Sequence, residues 1–566
     1  MTDRCGSIVS DWLRSHGNRG SRGRYLSPFV ILMGLLLEPV SSALAADAPS
    51  PSLSDASCLR LLLQFRKPPP LGIDSIRTLF RDLAGVTHFK QGIGSLPNSW
   101  VLTIDGEVLA SPEKLEALRS KLRAIGTDRG MGGTTFIERS AVWTSPDVGP
   151  ADLVSDAKTS GLDAVHATEA AVRITKIPHT PTVVAVVDSG IRYDHIALRN
   201  EMWSGNGAHG KNFSGGPPDD TGDYTAHGTN VAGALAATSD DSTDVTSIPW
   251  KKGVLLVIAK ASGGEDPDGC TDDISDAIDY AAKEANASII NLSLMSPTYS
   301  AALLAELTLL EGIKQRTLVI AAVGNRPFNL DLQIPGQKEY PTAYQLDNVL
   351  SVQGVNDSGL PRGSFGRQFV QLAAPADIYT TDNSDDTAWV NVSGTSFAAP
   401  QVSAAAALIS AYAPGWGYHK IRQYLVDSAH NSACDLPNAP PQSTPLCGKS
   451  ESGGILNVDA ATGAPVQLDS PASGDRWSEG VSHQVRWKPY FQTKLCPQVD
   501  LYLSLNDGLN WSAPQSFPQG LQTLGGNSTV TVVIPADVPK SSTARLALRC
   551  HDTARLESWS DTFSID

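Results

Sequence analysis

Cysteine is scarce. Seven in 566 residues are too few for a small scaffold held together by disulfides, and a chain this long has no need of one. Charged side chains are also sparse at 18%, against the ~25% usual for soluble proteins, and aromatics reach only 7%. A positive excess is missing. The net charge is −15, which argues against binding a phosphate backbone, so no nucleic-acid partner is expected. The acidity is uneven, because residues 1–45 carry +2 and residues 46–150 carry +1, leaving −18 for the rest. Long apolar runs are absent apart from Phe29 to Leu37, which is too short to span a bilayer comfortably. These deficits exclude disordered, collagen-like and polytopic membrane proteins. What remains is a chain with 41% hydrophobic residues, enough to give each of roughly three or four domains a core.

The apolar run lies in a targeting context. Arginines precede it, and the small-residue stretch Ser41 to Ala46 follows, with Ala43-Leu44-Ala45 inside. This is the layout of a secretory signal over residues 1–45, so an exported protein, periplasmic or extracellular and without a stable membrane anchor, is expected. Residues 46–150 read as a small α+β unit. Leu61 to Phe65 and Trp100 to Ile104 are strands, the latter ending at the turn pair Asp105-Gly106, and Asp74 to Leu83 is a helix. A second helix runs from Ser111-Pro112 to about Ala124, with Ser111 as N-cap and Pro112 in the first helical position. Thr134 to Trp143 supplies another strand, giving a ferredoxin-like layer. Residues 151–462 alternate apolar runs, such as Val183 to Val187, Val254 to Ile258, Ser288 to Leu292, Leu318 to Ala322 and Val349 to Val352, with helical patterns. Such runs suit parallel strands covered on both faces, hence a doubly wound α/β domain. Residues 463–566 hold short strands only and suggest a β-sandwich.

Three residues stand where structure breaks and a side chain would be presented. Asp188 closes the strand Val183 to Val187, at the carboxyl end where α/β proteins build their sites. His227 opens a small-residue helix, and Ser396 opens an Ala-rich one. A serine there meets free N–H groups and the positive end of the helix dipole. An alcohol is a weak nucleophile and needs a base within reach and a carboxylate to orient that base. Asp, His and Ser supply those roles, in this chain order.

The motifs Val186-Val187-Asp188-Ser189-Gly190, His227-Gly228-Thr229 with Val231-Ala232-Gly233, Asn291-Leu292-Ser293-Leu294, Ala321-Ala322-Val323-Gly324-Asn325 and Gly394-Thr395-Ser396-Phe397-Ala398-Ala399-Pro400 together resemble the subtilisin-like (S8) serine peptidases. The resemblance implies a three-layer α/β fold with a parallel sheet, Ser396 as nucleophile, His227 as general base and acid, Asp188 as orienting carboxylate, and Asn325 as oxyanion-hole donor. It implies that Ser293, Leu294 and Met295 bind substrate as an added strand. It also implies that no cofactor is required for the chemistry and that polypeptides are the substrates. It further implies that residues 46–150 are a prodomain, an intramolecular inhibitor cut off between about Ser140 and Asp156, and that residues 463–566 are an immunoglobulin-like accessory sandwich.

Several positions depart from the family pattern. Asn230 stands where a second His is usual, Met295 where a Gly is usual, and Arg326-Pro327 follows Asn325, so the cleavage preference stays open. Ala197 replaces a common calcium-ligating Asp. Structural calcium is left unassigned, with Asp219-Asp220, Asp240-Asp241 with Asp244, and Asp266, Asp268, Asp272 and Asp273 as carboxylate-rich loops. Cys434 with Cys447 and Cys496 with Cys550 read as pairs. Cys58 goes with the prodomain, and Cys270 is left over as a free thiol, although sequence does not fix connectivity. Two other readings are weighed. One is a binding protein on a degenerate peptidase scaffold. The other is a sedolisin-type acid peptidase, which uses carboxylates in place of the His base.

Overall fold

A computed structural model describes residues 58–70, 72–145, 160–177, 179–205, 207–238, 247–248, 253–263, 268–313, 317–435, 445–511, 521–522, 528–551 and 556–566. The expected signal segment lies outside these residues, as does the part of the expected cut window, Ser140 to Asp156, that follows Ser145.

The first unit comprises β1 (Arg60–Phe65), α1 (Ile73–Arg81), β2 (Val86–Gln91), β3 (Ser99–Ile104), α2 (Gly106–Ala110), α3 (Pro112–Asp128), β4 (Thr134–Arg139) and β5 (Val142–Trp143). Its sheet runs β2-β3-β1-β4 and is antiparallel throughout. The ferredoxin-like layer is present, but β2 was not among the expected strands. Its apolar residues are few and its burial is partial, so no alternating pattern marks it. Asp105-Gly106 starts α2, with the Asp105 carboxylate accepting from Glu107 N at 2.8 Å. Ser111 caps α3 as expected, and Pro112 sits in its first turn. Side chains alternate across β1. Leu61, Leu63 and Phe65 pack with Ile76, Phe80 and Leu122, whereas Leu62 faces the other way onto Ala302 of the next unit.

The central unit is a mostly parallel sheet. Its strands are β6 (Thr182–Asp188), β7 (Gly210–Asn212), β8 (Val254–Lys260), β10 (Ile289–Leu292), β11 (Leu318–Ala322), β12 (Val349–Val355), β13 (Pro361–Arg362) and β14 (Leu372–Pro375). The order is β13-β12-β11-β10-β6-β8-β7, with β14 beside β12, and only β13 is antiparallel. Neighbouring residues of β6 enter different cores. Val184 and Val186 join the side that holds α4 (His227–Ala236) and α7 (Thr395–Tyr412). Ala185 and Val187 join the side that holds α5 (Thr271–Lys283) and α6 (Ala301–Ile313). This makes the three-layer α/β fold, and it explains why the strands read as unbroken apolar runs. A short strand, β9 (Gly269–Cys270), precedes α5.

The last unit has two sheets. One contains strands Val466–Ser470, Ser482–Pro489 and Ser528–Val533. The other is built around Gln498–Ser504 and Ser541–Cys550. Its core residues Trp477, Val485, Leu501 and Phe563 are continuous with those of α7 and the central sheet, so the sandwich shares one apolar core with the α/β unit.

The pairs Cys434–Cys447 and Cys496–Cys550 are disulfides as expected. Cys270 is not a free thiol. It is bonded to Cys58 across 212 residues of sequence. The reason is tertiary. β5 pairs with β9 (Val142 opposite Cys270, Trp143 opposite Gly269), and β1 docks onto α5. Arg60 meets Asp272 at 2.7 Å and Asp273 at 2.9 Å. No sequence spacing announces that contact.

Candidate active site

Asp188 ends β6, its side chain fully buried. Its Oδ1 accepts from Ser189 N at 2.8 Å and lies 2.7 Å from His227 Nδ1. The approach depends on two glycines. A Cβ on Gly228 would lie 2.1 Å from the Gly190 carbonyl oxygen, so only glycine lets the start of α4 rest on the turn after Asp188.

The residue before α4, Ala226, takes a left-handed conformation at φ 74°, which is costly for a residue with a side chain. Asp223 holds it. Its carboxylate accepts from Thr225 N (3.0 Å), Ala226 N (3.2 Å) and Ser189 Oγ (2.9 Å), and from Thr229 N (2.8 Å) and Thr229 Oγ1 (2.6 Å). It caps the helix and places a negative charge at its positive end. Burial raises the pKa of Asp223 itself. Sequence reasoning passed over Asp223. It lies four residues before the helix start, outside the position where a capping residue is sought, and nothing in the pattern tied it to the site.

For His227, burial pulls the pKa down. The Asp188 carboxylate and its hydrogen bond, with Asp223 further off, outweigh this and hold the imidazole above its ordinary value. His227 Nε2 is buried and has no hydrogen-bond partner among the described residues.

Ser396 is the second residue of α7. Pro400 lies in this helix and has no N–H, so the Ser396 carbonyl, four residues back, loses its helical partner. Ser293 supplies one, its Oγ donating to Ser396 O at 2.8 Å, and Asn291 Nδ2 in turn donates to Ser293 Oγ at 2.9 Å. Ser396 Oγ donates to Ser293 O at 3.3 Å rather than to His227. The adjoining Phe397 ring is 5.7 Å from the His227 ring, centroid to centroid. A rotamer change at Ser396 is the motion that could redirect Oγ toward Nε2. Asn325 Oδ1 accepts from Thr395 N at 2.8 Å and Thr395 Oγ1 at 3.0 Å. That leaves Nδ2 as the donor side, against Gly394, where an added Cβ would lie 3.1 Å from it.

The first unit's chain enters this site. Thr144 and Met295 form an antiparallel bridge, while β5 pairs with β9 on the other side. The segment is thus the middle strand of three. The pairing falls to Met295; Ser293 faces inward onto Ser396, and Leu294 is buried at the cleft. Trp143 is fully buried, and its Nε1 donates to Thr271 Oγ1 at 3.0 Å. Thr144 and Ser145 line a cleft of about 250 Å³ together with Asp188, His227 and Asn230.

Asp272 and Asp273 hold Arg60. Asp220 accepts from Tyr224 OH at 2.8 Å, and Asp268 lines the cleft. Asp240, Asp241, Asp244 and Asp266 lie outside the described residues. Among the described residues, no group of three or more His, Cys, Asp or Glu is placed to hold a metal ion.

A parallel α/β sheet with an Asp–His pair at the carboxyl end of its strands and a serine at a facing helix start defines a hydrolase-like site. The model of the Subtilase family matches residues 180–463, and the chain belongs to that family. The major intracellular serine protease of Bacillus subtilis is 33% identical over 235 residues, covering 40% of this chain and 68% of that protein. Subtilisin Savinase of Lederbergia lenta is 30% identical over 282 residues, 49% of this chain and 90% of that protein. Halolysin of Haloferax mediterranei is 31% identical over 236 residues, 41% of this chain and 42% of that protein. Among solved structures, the epidermin leader peptide processing serine protease of Staphylococcus aureus shares the fold. The TM-score is 0.51 at 17% identity, covering 71% of this chain and 98% of that one.

Proposed function

We propose that the protein is a secreted serine endopeptidase made as a self-processing zymogen. In this reading Ser396 Oγ attacks the scissile carbonyl carbon while His227 Nε2 takes its proton, and Asp188 steadies the imidazolium through Nδ1–H. The carbonyl oxygen becomes an oxyanion facing Asn325 Nδ2 and the N–H groups at the start of α7. The C–N bond breaks as His227 returns the proton to the leaving amine. Water, deprotonated by the same imidazole, then hydrolyses the acyl-enzyme and regenerates Ser396. The buried Asp188–His227 pair at 2.7 Å, on the wall of the cleft that Ser145 also lines, is the observation that most supports this reading.

Residues 46–150 act as the prodomain in this proposal, and Thr144-Ser145 as the product side of the first bond cut. Serine proteases are the relatives, and among the described residues no helix is long and apolar enough to cross a membrane, which is compatible with export. The test is intact mass and N-terminal sequence of the exported protein beside its Ser396→Ala variant. Loss of the linear connection after Ser145 in wild type alone supports self-processing. Identical chains from both would sink it.

A further inference from the structure

We infer that cleavage after the first unit does not free it, and that the processed protein is a two-chain molecule in which the N-terminal piece stays disulfide-bonded over the cleft. This rests on the processing step proposed above and goes beyond it. Cys58 lies on the N-terminal side of the expected cut and Cys270 on the C-terminal side, and they are joined. Any break between Ser145 and Ser160 therefore leaves one covalent molecule.

The bond sits where it matters. Cys270 belongs to β9, the strand that pairs with Val142-Trp143 at the mouth of the cleft. Cys58 is two residues before β1, and its carbonyl accepts from Arg60 N at 2.8 Å. Arg60 makes the ion pairs to Asp272 and Asp273.

The rest of the contact is extensive. Glu138 caps α6, accepting from Ser300 Oγ (2.7 Å), Ala301 N (2.8 Å) and Ala302 N (3.0 Å). Ser95 N donates to Glu306 at 2.6 Å, and Lys90 pairs with Asp276. Leu62, Ile93, Leu96 and Val101 bury Ala302. A non-covalent prodomain held this way can dissociate and be diluted. A tethered one keeps an effective concentration of order mM, so it rebinds each time it lifts. Both cysteines are at most 1% exposed, so a reductant reaches the sulfurs only after the face has opened. Release by reduction consumes one dithiol: its two electrons and two protons give the Cys58 and Cys270 thiols, and the dithiol becomes its own disulfide.

The test uses the full-length chain, wild type and Cys58→Ser/Cys270→Ser, analysed by mass with and without dithiothreitol. Non-reduced wild type is expected at the summed mass of two pieces, which separate on reduction. After the cut it hydrolyses a small chromogenic peptide about 10²-fold more slowly than Cys58→Ser/Cys270→Ser. Two pieces that separate without reductant would overturn the inference while leaving the peptidase reading intact. Linked pieces with the activity of Cys58→Ser/Cys270→Ser would overturn the capping role. If neither wild type nor Ser396→Ala is cut, self-processing fails. A site for a sequence-specific protease, inserted between Ser145 and Ser160 of Ser396→Ala, then still tests the tether by the same mass comparison.

Discussion

Thr144 and Met295 exchange both backbone hydrogen bonds, Thr144 N to Met295 O at 3.1 Å and Met295 N to Thr144 O at 3.0 Å. A segment of the chain's own first unit therefore occupies the edge at Met295 that the proposed function assigns to a polypeptide substrate. Main-chain pairing uses only the N–H and C=O of residue 295, so Met in place of the usual Gly keeps the edge.

Trp143 anchors that strand. In uncut Ser396→Ala protein, Trp143→Ala should cost about 3–5 kcal/mol of the stability of the docked segment, the range for deleting a buried large aromatic. Faster hydrogen exchange at the Thr144 and Met295 amides, with the central sheet unaffected, is the expected result. Unchanged exchange would show that the disulfide alone holds the segment.

The imidazole must be neutral to act as a base, and its pKa is held above 6.5. Activity should therefore rise with pH through a midpoint above 6.5 in kcat/KM. Asp188→Asn should lower kcat by about 10⁴-fold. Asp223 also raises the imidazole pKa, so Asp223→Asn should move the midpoint down as well as reduce activity. A purely structural role would leave the midpoint where it is.

If Asn325 is the oxyanion donor of the proposed mechanism, Asn325→Ala should lower kcat by about 10²–10³-fold with KM little changed, since such a donor acts on charge that develops only in the transition state. The Oδ1 bonds to Thr395 are lost as well, so Asn325→Asp, which keeps an acceptor but removes the donor, should show a similar loss. Active-site titration with an irreversible serine reagent would check that the site is still formed.

Glu306 lies against the first unit, and burial, with Asp279 nearby, pushes its pKa up to about 8. A carboxyl whose pKa is raised on docking stabilises the docked state fully below its free value near 4.5. That contribution is lost as pH rises through about 8. Docking of the first unit should thus weaken between about pH 5 and 8, and Glu306→Gln should flatten part of that dependence. Hydrogen exchange of the Ser95 amide across that range measures it.

The sequence by itself determined the α/β core, because strands buried on both faces have to be apolar at every position. It also marked Asp188, His227 and Ser396, since each stands at a structure break where a side chain is presented, whereas Asn325 was legible only through the resemblance to the family. The Ser111-Pro112 start of α3 was legible for the same local reason. Tertiary structure decided the rest. β2 carries too few apolar residues to be read alone and exists through its pairing with β3. Asp223 became part of the site only when α4 folded back over the turn at Gly190. Cys58 and Cys270 met only because one face of the first sheet needed cover and α5 and α6 offered it. Periodicity and caps depend on neighbours a few residues away and are written in order along the chain. Contacts across two hundred residues depend on which surfaces remain uncovered after each unit has folded, and no local pattern records that.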